Sequence, residues 1–161
     1  MANHLIGIAE LAVAKAPDTI TTLGLGSCIG LVMYDPVNKI GGMAHVMLPS
    51  STSDLEFKSK AKYADTAFVE LLGKVTGSGA SRYKLVAKLA GGAHMFVSSV
   101  NNDIMKVGQR NIDMCKKLLM EHSIPLVAED TGGNVGRTIE FDCGTGALKV
   151  RTAWPKTEKT I

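Results

Sequence analysis

No apolar run in this sequence approaches the length that spans a bilayer. Its first residues, Met1-Ala2-Asn3-His4, lack the basic segment and long apolar stretch of a secretory signal, so a cytoplasmic location is expected. Cysteine is scarce: Cys28, Cys115 and Cys143 are too few and too widely spaced for a disulfide framework. There is no C-x-x-C pair, and none of the histidines (His4, His45, His94, His122) stands at metal-ligand spacing to a cysteine. That argues against zinc, and no metal or other cofactor is expected. Charge of one sign is also lacking. The 18 basic and 15 acidic residues leave a formal charge of +3, and the basic residues are scattered, not striped. Nucleic acid is therefore not an expected partner. No internal repeat or low-complexity tract is present. The glycine pairs Gly24-x-Gly26 and Gly132-Gly133 are fragments, not a full dinucleotide or P-loop motif leading into a helix.

What remains is an ordinary globular chain of 161 residues, 45% apolar and 20% charged, which fits one domain over 1–161. A chain of this size buries roughly 70% of its unfolded surface and needs no covalent staple. Leu5 to Val13 reads as a strand, broken by Ala16-Pro17-Asp18. Ile20 to Leu23 is extended, and glycines interrupt it at Gly24 and Gly26. Cys28 to Tyr34 is continuously apolar and suits a buried strand. Asp35-Pro36-Val37-Asn38-Lys39 is a turn by chemistry, and Ile40 to Leu48 is the return strand. Ser50 to Ser59 is polar and reads as a surface loop. Ala64, Ala67, Phe68, Leu71, Leu72 and Val75 share one helical face. Leu85 to Ala90 is a strand, and a second helix runs from about Ile104 to His122. Pro125 to Asp130 is a short strand, and Arg137–Asp142 with Ala147–Thr152 form a hairpin. The tail from Pro155 reads as frayed. Many strands with two main helices between them indicate an α/β layered sandwich.

Chemistry concentrates at Thr22-Leu23-Gly24-Leu25-Gly26-Ser27-Cys28. Glycines before the cysteine allow torsions closed to other residues and let a substrate backbone approach. They also leave backbone N–H groups, at Ser27 and Cys28, as candidate donors to an oxyanion. If the Asp35–Lys39 turn joins antiparallel strands, Cys28 falls opposite position 45 or 46, near His45. A thiol beside an imidazole is the activated-nucleophile arrangement, with Cys28 as nucleophile and His45 as base. A cysteine among apolar residues is otherwise an inert core thiol. Cys115, on an apolar helix face, fits that description, and Cys143 fits a turn between strands. His94 follows a glycine pair and is a second candidate to line a cleft.

Four separated stretches, in order, resemble the CheD family of chemoreceptor glutamine deamidases. They are Thr22 to Cys28, Met43 to Pro49, Gly91-Gly92-Ala93-His94-Met95-Phe96, and Ala128 to Asn134. The resemblance runs from about Ile6 to Arg151. It implies that Cys28, His45 and Thr22 are the catalytic set, with Thr22 orienting the His45 ring. It implies a protein-glutamine glutaminase that converts glutamine side chains of methyl-accepting chemotaxis receptors to glutamate through a Cys28 thioester. It implies a sandwich similar to the catalytic domain of cytotoxic necrotizing factor toxins. It also implies a partner, the CheY phosphatase CheC, whose activity would rise on binding. Gly91, Gly92 and Phe96 are the candidate substrate or partner surface. Two other readings stay open: a binding module that serves mainly to regulate CheC, and a thiol protease using the same Cys–His chemistry.

Overall fold

A computed structural model describes residues 1–51, 59–95 and 106–161. Among the described residues ten strands form two five-stranded sheets, and two main helices cover one of them. The first sheet has β1 (Asn3–Ile6), β3 (Thr19–Leu25), β8 (Arg137–Asp142), β9 (Leu148–Ala153) and β10 (Lys156–Thr160), adjacent in that order. The second has β2 (Leu11–Lys15), β5 (Ile40–Val46), β4 (Ile29–Asp35), β6 (Val86–Gly91) and β7 (Leu126–Thr131). Helices α1 (Ala64–Gly77) and α2 (Val107–Glu121) pack on the second sheet. The expected layered α/β sandwich with two main helices is the observed architecture.

The unbroken apolar runs in β4 and β5 follow from their place in the middle layer, where every residue of both strands is buried. A strand covered on both faces loses the alternation of a half-exposed one. Leu31, Met33, Ala44 and Val46 face Phe68, Leu71, Ile112 and Leu119 of the helices. Val32, Tyr34 and Met43 face Ile20, Leu25, Ile139 and Phe141 of the first sheet. His45 lies two residues beyond Met43 on β5, so it too points between the sheets. That places a titratable ring inside an otherwise apolar layer.

The β4–β5 turn is held by a buried carboxylate. Asp35 accepts hydrogen bonds from the backbone N–H groups of Val37 (2.9 Å), Asn38 (3.0 Å) and Ser81 (2.8 Å), and from Asn38 Nδ2 (2.6 Å). These donors outweigh the cost of burial and hold its pKa down to about 2. Its stabilisation is present above the ordinary carboxylate value of 3.8 and is lost as pH falls through about 2. Asp35→Ala strands several donors and is expected to cost about 2–4 kcal/mol in urea unfolding at neutral pH.

Two segments depart from the sequence reading. Leu5 to Val13 is not one strand but β1 and β2, which belong to different sheets. The crossing is a tight turn in which Glu10 N–H donates to the Gly7 carbonyl and Gly7 N–H to Glu10 Oε1, with Ala9 at φ 63°. The tail is not frayed. It returns as β10 on β9, with Glu158 against Lys149 and Arg151 across the pair, so charge pairing replaces apolar alternation on an exposed edge. The Ser50 to Ser59 loop lies mostly outside the described residues.

Candidate active site

Three elements converge at one end of the space between the sheets. Strand β3 of the first sheet supplies Thr22, strand β5 of the second supplies His45, and the Gly24–Cys28 loop leads from β3 into β4. Thr22 and His45 have no exposed surface. Cys28 is half-buried and packs at the margin of the inter-sheet core. The other two thiols are buried, and burial pushes Cys115 up to about 12 and Cys143 up to about 11. Neither is poised to ionise.

The register differs from the expected one. Ile29 pairs with Val46 and Gly30 with His45, so Cys28 lies one step past the last rung, in line with Met47. Directly opposed residues of an antiparallel pair point the same way, and so do residues two apart on one strand. Continued past the last rung, that alternation sets Cys28 diagonal to His45, and Cys28 packs on the inter-sheet core that His45 faces. Between them Gly30 has no side chain; a Cβ there would sit 2.3 Å from Ile139 Cδ1. Glycine is required opposite the histidine because Ile139 of the first sheet fills the space a side chain would need.

Thr22 fixes the ring. Its hydroxyl has one proton, which it donates to the Ile6 carbonyl at 2.9 Å. Its oxygen, 2.7 Å from His45 Nδ1, is left to accept the Nδ1–H. The tautomer follows from that donor count: the proton is on Nδ1 and the lone pair on Nε2. His45 Nε2 is buried without a hydrogen-bond partner among the described residues. An imidazole nitrogen left in this way keeps a lone pair that can accept a proton. Burial holds His45 below the usual imidazole value. Burial also raises the Cys28 thiol, with its own backbone N–H pulling weakly the other way. The resting pair at neutral pH is thiol and neutral imidazole.

The loop before Cys28 is held from behind. Gly92 N–H donates to the Cys28 carbonyl and Ala93 N–H to the Gly26 carbonyl, both at 2.8 Å. Gly91 sits at φ 110°, and a Cβ on it would fall 2.2 Å from the Cys28 carbonyl oxygen, so only glycine fits. Gly91 and Gly92, expected at a substrate or partner surface, are buried supports of the Gly24–Cys28 loop. Phe96, the third of that group, lies outside the described residues. His94 and Met95 are exposed beside the loop, and a Cβ on Gly26 would meet Met95 Cγ at 3.1 Å. A groove of about 540 Å³, lined in part by Gly24, Met95, Gly136, Arg151 and Trp154, opens on this side.

Sequence reasoning missed two buried polar residues here. Arg137 bonds the Gly91 carbonyl (3.3 Å), the Gly132 carbonyl (3.0 Å) and Asp130 (3.3 Å), tying the loops behind the site together. Asn111 of α2 donates to the carbonyls of Ser27 and Met47, both at 2.9 Å. A signal for Asn111 did exist: it breaks the apolar stripe Ile112, Cys115, Leu119 on the buried face of α2. Among the described residues no three of His, Cys, Asp and Glu gather into a metal site. No described helix is long and apolar enough to cross a membrane.

Comparison with known proteins decides the family. A profile described as CheD chemotactic sensory transduction matches residues 47–152. A protein of Halalkalibacterium halodurans named chemoreceptor glutamine deamidase CheD is 55% identical over 149 residues, which are 91% of this chain and 91% of that one. The chain belongs to the CheD family. The CheD of Bacillus subtilis, with the same name, is 47% identical over 157 residues, 97% of this chain and 94% of its own. A probable chemoreceptor glutamine deamidase CheD of Lachnoclostridium phytofermentans is 50% identical over 91% of both chains. The CheD profile match begins two residues after His45, so the Cys28, His45 and Thr22 arrangement stands beside it as an independent structural observation.

Proposed function

We propose that this protein is a chemoreceptor glutamine deamidase, acting in the cytoplasm, with Cys28 as nucleophile, His45 as general base and acid, and Thr22 as the residue that orients the ring. The observation that carries this reading is the buried Thr22–His45 hydrogen bond, which leaves Nε2 unpartnered on the face that Cys28 shares. The names of the relatives supply the substrate class, glutamine side chains of chemoreceptors.

In the first half-reaction Nε2 takes the thiol proton as sulfur attacks the carboxamide carbon. The tetrahedral oxyanion would rest on backbone N–H groups at Ser27 and Cys28. Imidazolium then gives its proton to the departing nitrogen, ammonia leaves, and a Cys28 thioester remains. In the second half Nε2 deprotonates a water that attacks the thioester, and the proton returns to sulfur as glutamate is released. The balance is amide plus water to carboxylate and ammonium, with no cofactor. Because the dyad rests uncharged, the pair becomes ionic only as the substrate reacts. A low-dielectric pocket favours that timing, since fixed dipoles then act on charge that develops in the transition state.

CheC remains the proposed regulatory partner, through the exposed rim beside the Gly24–Cys28 loop. A CheC-binding module without catalysis would not need the unpartnered Nε2, which favours the enzyme reading. The test is incubation of the protein with receptor cytoplasmic fragments, following ammonia and fragment mass together. Deamidation is expected to release ammonia and add about one dalton per glutamine with the chain left whole, because only a side-chain amide is hydrolysed. Cleaved peptides would indicate a protease instead. Raised CheC phosphatase activity with no ammonia would indicate the regulatory module.

A further inference from the structure

Past the rung Ile29–Val46 the two strands that carry the nucleophile and the base part company. Met47 and Leu48 N–H both turn to the Lys62 carbonyl, at 2.9 and 3.0 Å, which draws the end of β5 toward the segment that precedes α1. The Cys28 carbonyl turns the other way, to Gly92 N–H. In place of the next ladder rung stands one side chain. Asn111 Nδ2 places one hydrogen on the Ser27 carbonyl and the other on the Met47 carbonyl. Ser27 precedes the nucleophile, and Met47 follows the base by two residues. The two carbonyls belong to the segments whose separation sets the Cys28–His45 diagonal.

We propose that Asn111 is a positioning residue of the active site, a carboxamide bridge that sets the spacing of Cys28 and His45. Asn111 has no exposed surface, so it acts from behind the loop and does not touch substrate. Both its donors are used, while its Oδ1 is buried without a partner among the described residues. A buried acceptor left unmatched is costly, and a residue kept only to fill the core would not carry one. The side chain that meets the requirement must donate twice from one planar nitrogen and carry no charge. Aspartate donates nothing and would set a carboxylate against two carbonyl oxygens. Serine donates once. Leucine has nearly the same shape and donates nothing. The backbone of α2 is brought near enough by Gly108, where a Cβ would lie 2.6 Å from both the Gly92 and Ala93 carbonyl oxygens.

This inference rests on the Cys28–His45 reading, and the test separates the two. The rate of Cys28 alkylation by iodoacetamide is measured with His45 present and with His45→Ala, in the wild-type background and in Asn111→Leu. No receptor is needed. The His45-dependent enhancement is expected to be about tenfold or more in the wild-type background and to fall toward one in Asn111→Leu, because small displacements of reacting groups cost rate steeply. In the deamidase assay kcat should fall by about tenfold or more with KM unchanged, and Asn111→Ser should recover part of it. An equal and large enhancement in both backgrounds overturns the role of Asn111. An enhancement of one in both overturns the Cys28–His45 pairing itself, and the role of Asn111 with it. If Asn111→Leu does not fold, the native protein decides. Both Asn111 Nδ2 protons should resist solvent exchange by NMR and shift when Cys28 is alkylated, and rapid exchange of either overturns the bridge.

Discussion

Cys28→Ser will leave a folded protein that has lost ammonia release by about four orders of magnitude or more, the scale seen when a hydrolase loses its nucleophile. The exchange of sulfur for oxygen is nearly isosteric, so packing at the margin of the inter-sheet core changes little. Unfolding free energy should move by less than about 1 kcal/mol. What changes is acidity. In the proposed mechanism the neutral imidazole of His45 takes a proton from a thiol whose pKa burial raises, whereas a serine hydroxyl is far less acidic. Cys115→Ser and Cys143→Ser are the controls. Both thiols are buried and pushed far above neutrality, so these variants should lose stability, not chemistry. A loss of ammonia release as deep in either as in Cys28→Ser, with folding intact, would remove the assignment.

His45→Ala should lower kcat by about 10²–10⁴, the range for loss of a positioned general base. Thr22→Val, which deletes the oxygen that accepts Nδ1–H, should cost less, about 10–100-fold, because the ring stays in place but loses its orientation and the stabilisation of imidazolium. Thr22→Ser should recover most of it. The pH dependence carries the same logic. His45 must be neutral to act, and burial lowers its pKa, so kcat/KM should fall on the acid side with a midpoint below 6.5. Removing the Thr22 oxygen makes imidazolium still less favourable, so the limb should move further toward acid in Thr22→Val. Folding follows the same sign. The neutral buried imidazole gives stability that is fully present above 6.5 and is lost as pH falls through its lowered folded value. An acid limb above 6.5, or one unmoved in Thr22→Val, would mean that His45 is not the group titrating.

The hairpin that carries the proposed nucleophile and base was readable because its turn is written in Asp35, Pro36 and Asn38, whose side-chain and backbone preferences are local. Its register was not, and the difference matters. Position 45 or 47 opposite Cys28 puts thiol and imidazole on one face, whereas position 46 would put them on opposite faces. The observed ladder ends at Ile29–Val46, and its register extended by one step puts Met47 in line with Cys28. The helix faces of α1 and α2 were legible from their apolar spacing, as were the chemically inert surroundings of Cys115. The break at Gly7–Glu10 was not, because an apolar run looks the same whether one sheet or two receives it. Strand β10 was hidden because its sequence is polar and its partner lies across a turn of only two residues. Thr22 reaches His45 from the other sheet, and no local pattern states which sheets stack. Family resemblance alone pointed to it. Asn111 interrupts the apolar stripe of α2, but its partners were out of reach for the same reason, since Ser27 and Met47 meet it only after α2 has docked.

The proposed mechanism requires that a receptor glutamine pass through a bond to Cys28. Acid quenching during the first turnover, followed by intact mass measurement, tests this directly. The protein and a receptor fragment should appear joined with the loss of one ammonia, about 17 daltons below their summed mass, cleavable by hydroxylamine and mapping to the peptide that contains Cys28. Turnover that continues in Cys28→Ala, with no such adduct at any time in the native protein, would contradict it.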